Sequence, residues 1–343
     1  MKALVLKEYN HFSYEDVPVP EINDDEVLVE IKACAICGSD VHGMDGSTGR
    51  RVPPIIMGHE ASGVIVRTGS RAVGYKAGDR VTFDSTLYCG ECAFCKRGEI
   101  NLCDKRKVLG VSCDEYRMNG ALAQFAAIPA RILYPLPEGI SFENAAMVEP
   151  LSIAWHALAR TKTDISTNAA ILGSGIIGLL IIRLLKLAGC RKIIAVDNVR
   201  SKLDMALEFG ADNCLEAGKA DIPAEIRSLT GGFGADTAFE AVGIQPTFTD
   251  AVACLRKGGE LVLVGNVKPS LEFPLQSVVT RQIRISGSCA SAGEYPECLD
   301  LISSGRVDPG RLISAVAPLS EGGTWFRKLY NKEPGLLKVV LVP

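Results

Sequence analysis

The stretch between Asn168 and Asp197 constrains the fold more than any other part of the chain, because its apolar residues change periodicity twice. The apolar run NAAIL is followed by the turn GSG, by the long apolar run IIGLLIIRLLKLAG and then by KIIAVD. Short β-branched runs predict strands, and the longer run between glycines predicts a helix. The stretch therefore predicts a strand–helix–strand unit, whose two strands must be parallel.

The same alternation continues to about residue 287. We predict helices in KLDMALEFGA, ending at Gly210, and in TFTDAVACLRKGG, ending in its glycines, with strands in ADTAFEAVG, ELVLVG and RISGS. Strands that alternate with helices form a parallel sheet covered by helices on both faces. The tail adds a predicted helix in YPECLDLISSG and a predicted strand in LKVVLV.

The first 150 residues have a different texture. The runs KALVL, EVLVEIKAC, ASGVIVRTG and DRVTFD are short, rich in β-branched residues and separated by Gly, Pro and Asp. Such runs predict strands with few helices between them. The chain is therefore predicted to be α/β, with a β-rich part, then a doubly wound parallel sheet, then a short return segment.

The glycine turn predicts a dinucleotide site. Gly173, Gly175 and Gly178 have the G-x-G-x-x-G spacing, between a predicted strand and a predicted helix. The first glycine permits the tight turn, the second lets backbone approach a pyrophosphate, and the third lets helix pack on strand. The helix N-terminus then offers free N–H groups to the phosphates. Asp197 ends the next strand, where it is placed to accept hydrogen bonds from the adenosine ribose.

A carboxylate at Asp197 repels a 2′-phosphate, so NAD is favoured over NADP, although Arg200 and Lys202 behind it weaken that preference. The predicted coenzyme-binding residues are Gly173, Gly175, Ile176, Ile177, Gly178, Asp197, Arg200, Lys202, Val264 and Gly265.

Composition argues against other classes of partner. The chain has 37 basic and 40 acidic residues, a net charge of −3 and no basic run, which disfavours nucleic acid. Its start, MKALVLKEYNHF, has too short an apolar stretch for a signal peptide. The longest nearly apolar run stops at Arg183 and is shorter than a membrane span. We therefore expect a cytoplasmic protein without membrane partners, in which thiols stay reduced.

Two groups of metal-binding residue types stand out. Four of the twelve cysteines fall in CGECAFCKRGEINLC, at spacings x2, x2 and x7. Disulfides are disfavoured in a reducing compartment, which leaves a metal site, a redox device or a metal-free thiol loop. Cys37, His59 and Glu60 form the second group, and thiolate, imidazole and carboxylate are all zinc ligands.

Taken together, these motifs resemble the zinc-dependent medium-chain dehydrogenases of the alcohol and polyol dehydrogenase superfamily. GHEASGVIVRTGSRA matches the zinc signature of that family at every fixed position, and the CGSDVH stretch, the cysteine run and the glycine turn occur in the family's order. The resemblance implies a GroES-like catalytic domain at residues 1–152 and 288–343, around a Rossmann NAD-binding domain at 153–287.

The resemblance also implies two zinc ions per chain. Cys89, Cys92, Cys95 and Cys103 would form a closed structural site, since four thiolates leave no position for substrate. A ferredoxin-like site is disfavoured by the x7 spacing and the absence of a following proline. The catalytic ion would be held by Cys37 and His59, with either Glu60 or a water backed by carboxylate completing the site. Glu149 matches the position where polyol dehydrogenases carry Glu, and by that resemblance it would either ligate the zinc or hold the zinc-bound water.

By the same resemblance, Ser39 and His42 form a proton relay that runs from the substrate oxygen through the nicotinamide ribose to solvent. Asp40 would accept a hydrogen bond from the far nitrogen of His59 and so fix its tautomer. Arg50 and Arg51 follow in the next loop and are candidates for holding a substrate phosphate or acid group.

The function implied is NAD-dependent oxidation of a secondary alcohol to a ketone, on a polyol, a sugar alcohol or the phosphate of either. The Glu149 and CGSDVH features favour the sorbitol, galactitol-phosphate and threonine dehydrogenase branch. L-Threonine 3-dehydrogenase and vicinal-diol (butanediol) dehydrogenase are the close alternatives, and a non-catalytic zinc- and NAD-binding redox sensor is the alternative of another class. The family pairs through an edge strand of the coenzyme sheet, so SLEFPLQSVVTRQIRISGS predicts a homodimer or homotetramer.

Overall fold

The computed structural model describes residues 1–112 and 117–343. Within them the strands are β1 Lys2–Glu8, β2 His11–Asp16, β3 Glu26–Ala35, β4 Ile55–Ile56, β5 Glu60–Thr68, β6 Arg80–Phe83, β7 Thr86–Leu87, β8 Lys107–Val108, β9 Phe125–Pro129, β10 Leu133–Pro135, β11 Asn168–Leu172, β12 Lys192–Asp197, β13 Asn213–Glu216, β14 Ala235–Glu240, β15 Leu255–Leu263, β16 Arg284–Gly287, β17 Ile313–Pro318 and β18 Lys338–Val342. The α-helices are α1 Gly38–Gly43, α2 Ala93–Lys96, α3 Phe142–Ala146, α4 Val148–Ala159, α5 Ile176–Leu187, α6 Arg200–Phe209, α7 Ile222–Leu229, α8 Gln245–Cys254, α9 Leu275–Arg281, α10 Tyr295–Ser303 and α11 Gly322–Tyr330.

The chain divides into two compact units. The first comprises Met1–Ser152 together with Ser291–Pro343, and the second is Ile153–Ala290. The chain therefore leaves the first unit inside α4 and returns to it just before α10.

The first unit is built on antiparallel strands. Its largest sheet has seven strands in the order β10-β6-β5-β3-β18-β17, with β9 also pairing with β3. A three-stranded sheet, β2-β1-β4, and the short pair β7-β8 complete it. The apolar residues of β1, β3 and β5 are buried in one core, which includes Leu4, Leu6, Val29, Ile31 and Ile65.

The C-terminal strand joins this sheet from a distance in sequence. Strand β18 pairs antiparallel with β3, at Val340 opposite Ala35 and Leu341 opposite Cys34, and it pairs parallel with β17. Strand β3 leads directly into α1. The end of the chain therefore packs beside the segment that carries Cys37.

The second unit contains a six-stranded parallel sheet in the order β13-β12-β11-β14-β15-β16. In chain order this is the 3-2-1-4-5-6 arrangement of doubly wound dinucleotide-binding sheets. The helices α5 to α8 alternate with its strands, and the apolar runs of β11 and β12 are buried. The predicted α/β class and the parallel sheet are confirmed.

One predicted helix is too long. Helix α8 ends at Cys254, and the residues LRKGG already belong to β15. Leu255 is buried in the core of the second unit, and Gly258 has a φ of +71°, which suits glycine. A register irregularity between Ala235 and Thr237 of β14 accommodates this early start of the strand.

All eleven cysteines in the described part of the chain are free thiols. The remaining cysteines, by their residue type, are expected to be small buried side chains. Most of them are buried, but Cys289 is exposed and Cys214 is half-buried, and Cys113 lies outside the described residues. No helix in 1–112 or 117–343 has the length and apolar content needed to span a membrane.

Candidate active site

The four cysteines of the CGECAFCKRGEINLC run converge. In Cys89, Cys92, Cys95 and Cys103, the sulfur atoms all lie within 4.8 Å of one another. The Sγ atoms of Cys89 and Cys95 are 3.9 Å apart, and those of Cys92 and Cys95 are 3.5 Å apart. A tetrahedral zinc site with Zn–S bonds of about 2.3 Å has sulfur separations of about 3.8 Å. The cluster therefore has the dimensions of a four-thiolate zinc site.

Backbone N–H groups point at these sulfur atoms. Cys89 Sγ accepts from the amides of Glu91 and Cys92, at 3.5 and 3.4 Å, and Cys103 Sγ accepts from those of Cys89 and Lys105, both at 3.3 Å. Hydrogen bonds from backbone, chiefly that of Cys95, lower the pKa of Cys92 to about 6. Donors arranged in this way stabilise thiolates, which are the form that binds metal.

A second cluster forms at one end of the large sheet of the first unit, where β3 ends and β5 begins. Cys37 is the N-cap of α1, and His59 and Glu60 stand at the start of β5. One ligand atom from each lies within 4.8 Å of the other two. Burial, followed by the charge of Glu60, raises the pKa of the Cys37 thiol to about 12. A thiolate at this position therefore needs a cation beside it at neutral pH.

Glu60 is paired with a residue that the sequence did not single out. Lys338 Nζ lies 2.9 and 2.6 Å from the two carboxylate oxygens of Glu60, and both side chains are almost fully buried. The same ammonium donates to the carbonyl of Ile36 at 3.1 Å. Burial alone would lower the pKa of Lys338, but the charge of Glu60 raises it overall. Strand β18 thus supplies a fixed positive charge behind the second cluster.

Asp40 lies between His59 and a buried arginine. Its Oδ2 faces His59 Nδ1 at 3.4 Å, and neither of these two atoms has a hydrogen-bond partner in the described part of the chain. Its Oδ1 accepts from Arg51, whose side chain is only 2% exposed. Because Arg51 is buried and paired with Asp40, the expectation that it holds a substrate phosphate or acid group is wrong.

Glu149 lies near the second cluster but is not among the atoms that converge within 4.8 Å. Its carboxyl accepts a long hydrogen bond of 3.4 Å from Ser85. Burial raises the pKa of Glu149 well above its usual value, although the neighbouring His59 opposes this shift. No lysine or arginine among residues 1–112 and 117–343 pairs with it. A buried carboxyl of this kind fits a site that receives a metal cation.

A further buried acid, Asp84, stands next to Ser85 and was missed by the sequence analysis. It accepts from the amide of Thr86 at 2.8 Å and from the hydroxyl of Ser291 at 3.1 Å. Burial raises its pKa to about 6. Nothing in the run DRVTFDST marks this aspartate as buried, because its environment is built by Ser291, which lies 207 residues further along the chain.

Ser39 and His42 are exposed on α1, three residues apart. Residues at this spacing lie on one face of a helix. The Ser39 hydroxyl donates to Cys37 Sγ at 3.2 Å. The structure thus brings Ser39 next to Cys37 and leaves His42 open to solvent on the same side of the helix.

The conformation and surroundings of the three glycines agree with their expected roles in the turn, the pyrophosphate approach and the helix–strand packing. Gly173 has a φ of +104°, and a Cβ at Gly178 would lie 1.9 Å from the carbonyl of Gly173. Gly175 is the N-cap of α5, and a Cβ there would meet nothing within 4 Å. Ile176 and Ile177 open α5 directly after it. The turn thus leaves open space at the N-terminus of a twelve-residue helix, which suits a pyrophosphate.

Asp197 ends β12 and holds this turn in place. One carboxylate oxygen accepts from the amide of Ser174 and the other from that of Val199, each at 2.9 Å. Each oxygen keeps a lone pair for a further donor. Arg200 is ion-paired with Asp204 at 2.9 Å and exposed, and Lys202 is half-buried.

Val264 and Gly265 follow β15, and both of their amides donate to the carbonyl of Glu240 at 2.9 Å. The carboxyl end of β15 is hydrogen-bonded beside that of β14 in the parallel sheet. Ligands of doubly wound sheets bind outside the carboxyl ends of the strands. The backbone of these two residues is thus held at the edge of the sheet where a dinucleotide is expected.

Profiles of two known protein families match most of the chain. Residues 23–138 match the profile of the alcohol dehydrogenase GroES-like domain, and residues 177–304 match that of the zinc-binding dehydrogenases. Sorbitol dehydrogenase of Bacillus subtilis is 33% identical over 348 aligned positions, covering 100% of this chain and 97% of that protein. The chain belongs to the zinc-dependent medium-chain dehydrogenases. The GroES-like and Rossmann domains, the zinc and the nicotinamide coenzyme expected from the sequence are those of this family.

Other members of the family point to polyol chemistry. The probable D-xylulose reductase A of Aspergillus fumigatus is 34% identical, over 95% of this chain and 93% of that protein. The crystal structure of galactitol-1-phosphate dehydrogenase from Escherichia coli superposes with a TM-score of 0.91, at 26% identity and over 100% of both chains. As a zinc-dependent medium-chain dehydrogenase, the protein is an oxidoreductase of the alcohol and polyol type.

Proposed function

We propose that this dehydrogenase oxidises a secondary hydroxyl of a polyol or sugar alcohol to a ketone, with NAD as the coenzyme. The observation that carries the proposal is the convergence of Cys37, His59 and Glu60, with Ser39 beside Cys37. The names of the sorbitol, xylulose and galactitol-phosphate relatives support a polyol as the substrate class.

Cys37 and His59 would hold the catalytic zinc, and Glu149 is the best candidate for the carboxylate ligand. Both oxygens of Glu60 already accept from the ammonium of Lys338, whereas Glu149 is buried with only a long hydrogen bond from Ser85. A divalent cation would supply the positive charge that Glu149 lacks. Glu60, neutralised by Lys338, would support the site from behind or replace Glu149 as a ligand.

The cysteine loop would hold the structural zinc through Cys89, Cys92, Cys95 and Cys103, because four sulfur atoms at tetrahedral separations leave no open position. The loop has little apolar content of its own, and α2 within it has no buried residue. The metal would therefore take the place of a hydrophobic core for this segment.

When bound, zinc supplies a Lewis acid and NAD a hydride acceptor. The chain's own residues manage the proton. Ser39, whose oxygen lies 3.2 Å from Cys37 Sγ, is placed to accept the proton of a hydroxyl that approaches the cluster. His42 lies one turn along α1 in solvent and is the group that releases the proton to water. Asp40, whose Oδ2 faces His59 Nδ1 at 3.4 Å, would orient the ring of His59.

The coenzyme would bind at the glycine turn of the second unit. The open face of Gly175 at the N-terminus of α5 suits the pyrophosphate, and Asp197 suits the adenosine ribose. Because Arg200 is paired with Asp204, it is less available to a 2′-phosphate. We therefore favour NAD over NADP, with Ile176, Ile177, Lys202, Val264 and Gly265 as further contacts.

The test is metal analysis combined with substrate profiling. Freshly purified, zinc-replete protein should contain about two zinc ions per chain, one closed and one open. NADH formation should be measured with polyols, polyol phosphates, L-threonine and vicinal diols, and the largest kcat/KM should belong to a polyol or its phosphate. Threonine or butanediol as the best substrate would correct the substrate class. Failure of every substrate, with zinc and NAD bound, would favour a redox sensor.

The relay has its own test in His42→Ala. The variant should keep both zinc ions and should lose turnover most strongly at low pH, where proton release to solvent depends most on a buffering group. A pH profile unchanged from the wild type would remove His42 from the relay.

We further infer a homodimer or homotetramer. Strand β16 lies at the edge of the parallel sheet, and the neighbouring α9 exposes Leu275 and Val279. An unpaired edge beside exposed apolar side chains suits a second copy. Gel filtration with light scattering tests this. The free thiols of the described residues suit a reducing cytoplasm, which fractionation would check.

A further inference from the structure

Arg51 is the largest side chain buried in the described part of the chain, and it has no role in the chemistry derived above. A buried guanidinium is unfavourable unless each of its donors finds a partner. Arg51 lies in the loop between α1 and β4, eleven residues after Asp40, and folds back beneath α1.

Its donors are directed at two groups of the active site. Arg51 Nε and Nη2 lie 2.8 and 2.6 Å from Oδ1 of Asp40, and Nη2 also donates to Oγ of Ser39 at 3.3 Å. The remaining nitrogen, Nη1, donates to the carbonyl of Arg50 at 3.2 Å. One guanidinium thus contacts both Asp40, which faces His59, and the hydroxyl of Ser39, which in the proposed function takes the substrate proton.

Helix α1 is shaped to admit this side chain. A Cβ added to Gly43 would lie 2.6 Å from Cγ of Arg51 and 3.4 Å from its Cβ. Gly43 is buried and has no positive φ, so its backbone conformation does not require glycine. The space left by the missing side chain is the path along which Arg51 reaches Asp40.

The ion pair between Arg51 and Asp40 gives the two carboxylate oxygens of Asp40 different neighbours. Arg51 occupies Oδ1, which leaves Oδ2 directed at His59 Nδ1 at 3.4 Å. Because Asp40 is fully buried, the guanidinium also neutralises a carboxylate that would otherwise be an uncompensated charge. Oδ2 is thus the acceptor that faces Nδ1, and a small approach of the two groups on metal binding would form the hydrogen bond, with the proton on Nδ1 and the other ring nitrogen free for a metal.

The contact with Ser39 acts on the proton step. A donor at 3.3 Å occupies one lone pair of Oγ, and its positive charge opposes a second proton remaining on the hydroxyl. The proton taken from the substrate is therefore passed on rather than retained.

We propose that Arg51 is a positioning residue of this dehydrogenase, which sets the orientation of His59 through Asp40 and that of the relay hydroxyl of Ser39 with one guanidinium. The Ser39 half of the proposal rests on the proposed function, whereas the Asp40 half requires only that zinc binds.

The experiment uses the zinc-loaded full chain and compares Arg51→Met, Arg51→Lys and the double variant Asp40→Asn/Arg51→Met. Arg71→Met is the matched control, since Arg71 is exposed and its ion pair with Asp24 is long, at 3.8 Å. Two quantities are measured: the rate at which a chelator removes the catalytic zinc, and kcat, KM and the solvent isotope effect on kcat with the best polyol.

Arg51→Met leaves Asp40 without its cation, and we expect zinc to be released roughly 10- to 100-fold faster. Lysine keeps the charge but lacks the planar fork that reaches two partners. Arg51→Lys should therefore keep its zinc, lose roughly 10-fold or more in kcat with little change in KM, and show a larger solvent isotope effect.

The double variant separates the two halves of the proposal. It removes both charges, so zinc release should return towards the wild-type rate while kcat stays low, because Ser39 still lacks its donor. Recovery of kcat in the double variant would overturn the Ser39 half. Zinc release and kcat equal to those of Arg71→Met in every Arg51 variant would overturn the whole proposal.

The remaining outcomes are also decisive. If Arg51→Met does not fold, Arg51→Lys and the double variant carry the same comparison. If the wild type oxidises no substrate of the panel, the proposed function fails, and the rates of zinc release still decide the Asp40 half.

Discussion

The two thiol-containing clusters of the first unit are built in opposite ways. The cysteine loop draws all four sulfur atoms from residues 89–103, and three of the four are only partly buried. The second cluster combines Cys37 from the cap of a helix with Glu60 at the start of β5 and His59 just before it, against a lysine 278 residues beyond Glu60. The first cluster is local and uniform, and the second depends on tertiary structure and has mixed donors.

In the cysteine loop, a bound metal would stabilise the local fold, whereas in the second cluster the surrounding fold already positions the ligands. Within the cysteine loop, the short α2 buries nothing, and the four sulfur atoms join parts of the loop to one another. The mixed cluster is fixed by the large sheet, by Lys338 and by Arg51 with Asp40 before any ion is considered. Removal of metal should therefore disorder the first region and inactivate the second.

The largest expected effect is that of Cys37→Ala on activity. The variant should retain one zinc per chain, keep its fold and lose at least about 10³-fold in kcat/KM, since a Lewis acid supplies several kcal/mol of transition-state stabilisation. Metal analysis and steady-state kinetics check this. Cys190→Ala, a buried thiol of the second unit, is the matched control and should keep both zinc ions and its activity.

Cys103→Ala should give the opposite result. The variant should also retain one zinc, but its loop should lose order, and protease cleavage within residues 89–103 should become roughly 10-fold faster or more, because binding and folding are coupled in such loops. Limited proteolysis with mass spectrometry measures this, with the exposed Leu102→Ala as control. An uncleaved loop in Cys103→Ala would mean that the segment folds without metal.

Lys338→Met tests whether the mixed cluster is held by the fold. It leaves Glu60 as a buried carboxylate without a cation, which should reduce the free energy of unfolding by about 3–5 kcal/mol. Urea titration measures the change. The double variant Lys338→Met/Glu60→Gln removes both charges and should recover most of the loss. Equal loss in the two variants would show that packing of the lysine, and not its charge, is responsible.

The smallest expected effect concerns Asp84 and depends on pH. Burial raises its pKa to about 6 from an ordinary value near 3.8, so the folded chain binds more protons than the unfolded chain between those values. Stability is therefore lost as the pH rises from about 4 to about 6, by at most roughly 3 kcal/mol at 1.4 kcal/mol for each pKa unit.

Asp84→Asn stays neutral and can still accept from the amide of Thr86. Its thermal midpoint should exceed that of the wild type by roughly 5 °C at pH 8, and the two should converge near pH 4. Differential scanning calorimetry across this range measures the difference. A constant difference at all pH values would show that the carboxylate of Asp84 is not the source.

Most of the fold could be predicted because its signals are local. The change of periodicity around the glycine turn identified β11, α5 and β12, and the matching runs identified β1, β3, β5, β6 and β18. The end of α8 was missed because LRKGG has no periodicity to separate a helix end from a strand start. Burial of Leu255 and the positive φ of Gly258 determine that the strand begins at Leu255.

The candidate site divides in the same way. Residue type and spacing marked the thiols, His59 and the glycines, since metal and phosphate binding need those groups at short intervals. Lys338, Arg51 and Asp84 were missed or assigned elsewhere because their partners are distant in sequence or their burial is decided by other segments. An arginine in a polar loop carries no sign in the sequence that it turns inward.

The pairing of β18 with β3 also has a consequence for how the protein is made. Lys338 emerges from the ribosome only after the entire second unit has been translated, so a nascent chain that already contains Cys37, His59 and Glu60 carries an unbalanced negative charge among them. The surroundings of Cys37, His59 and Glu60 are therefore complete only when β18 has paired with β3, whereas the four sulfur atoms of the cysteine loop are all present once residue 103 has been synthesised.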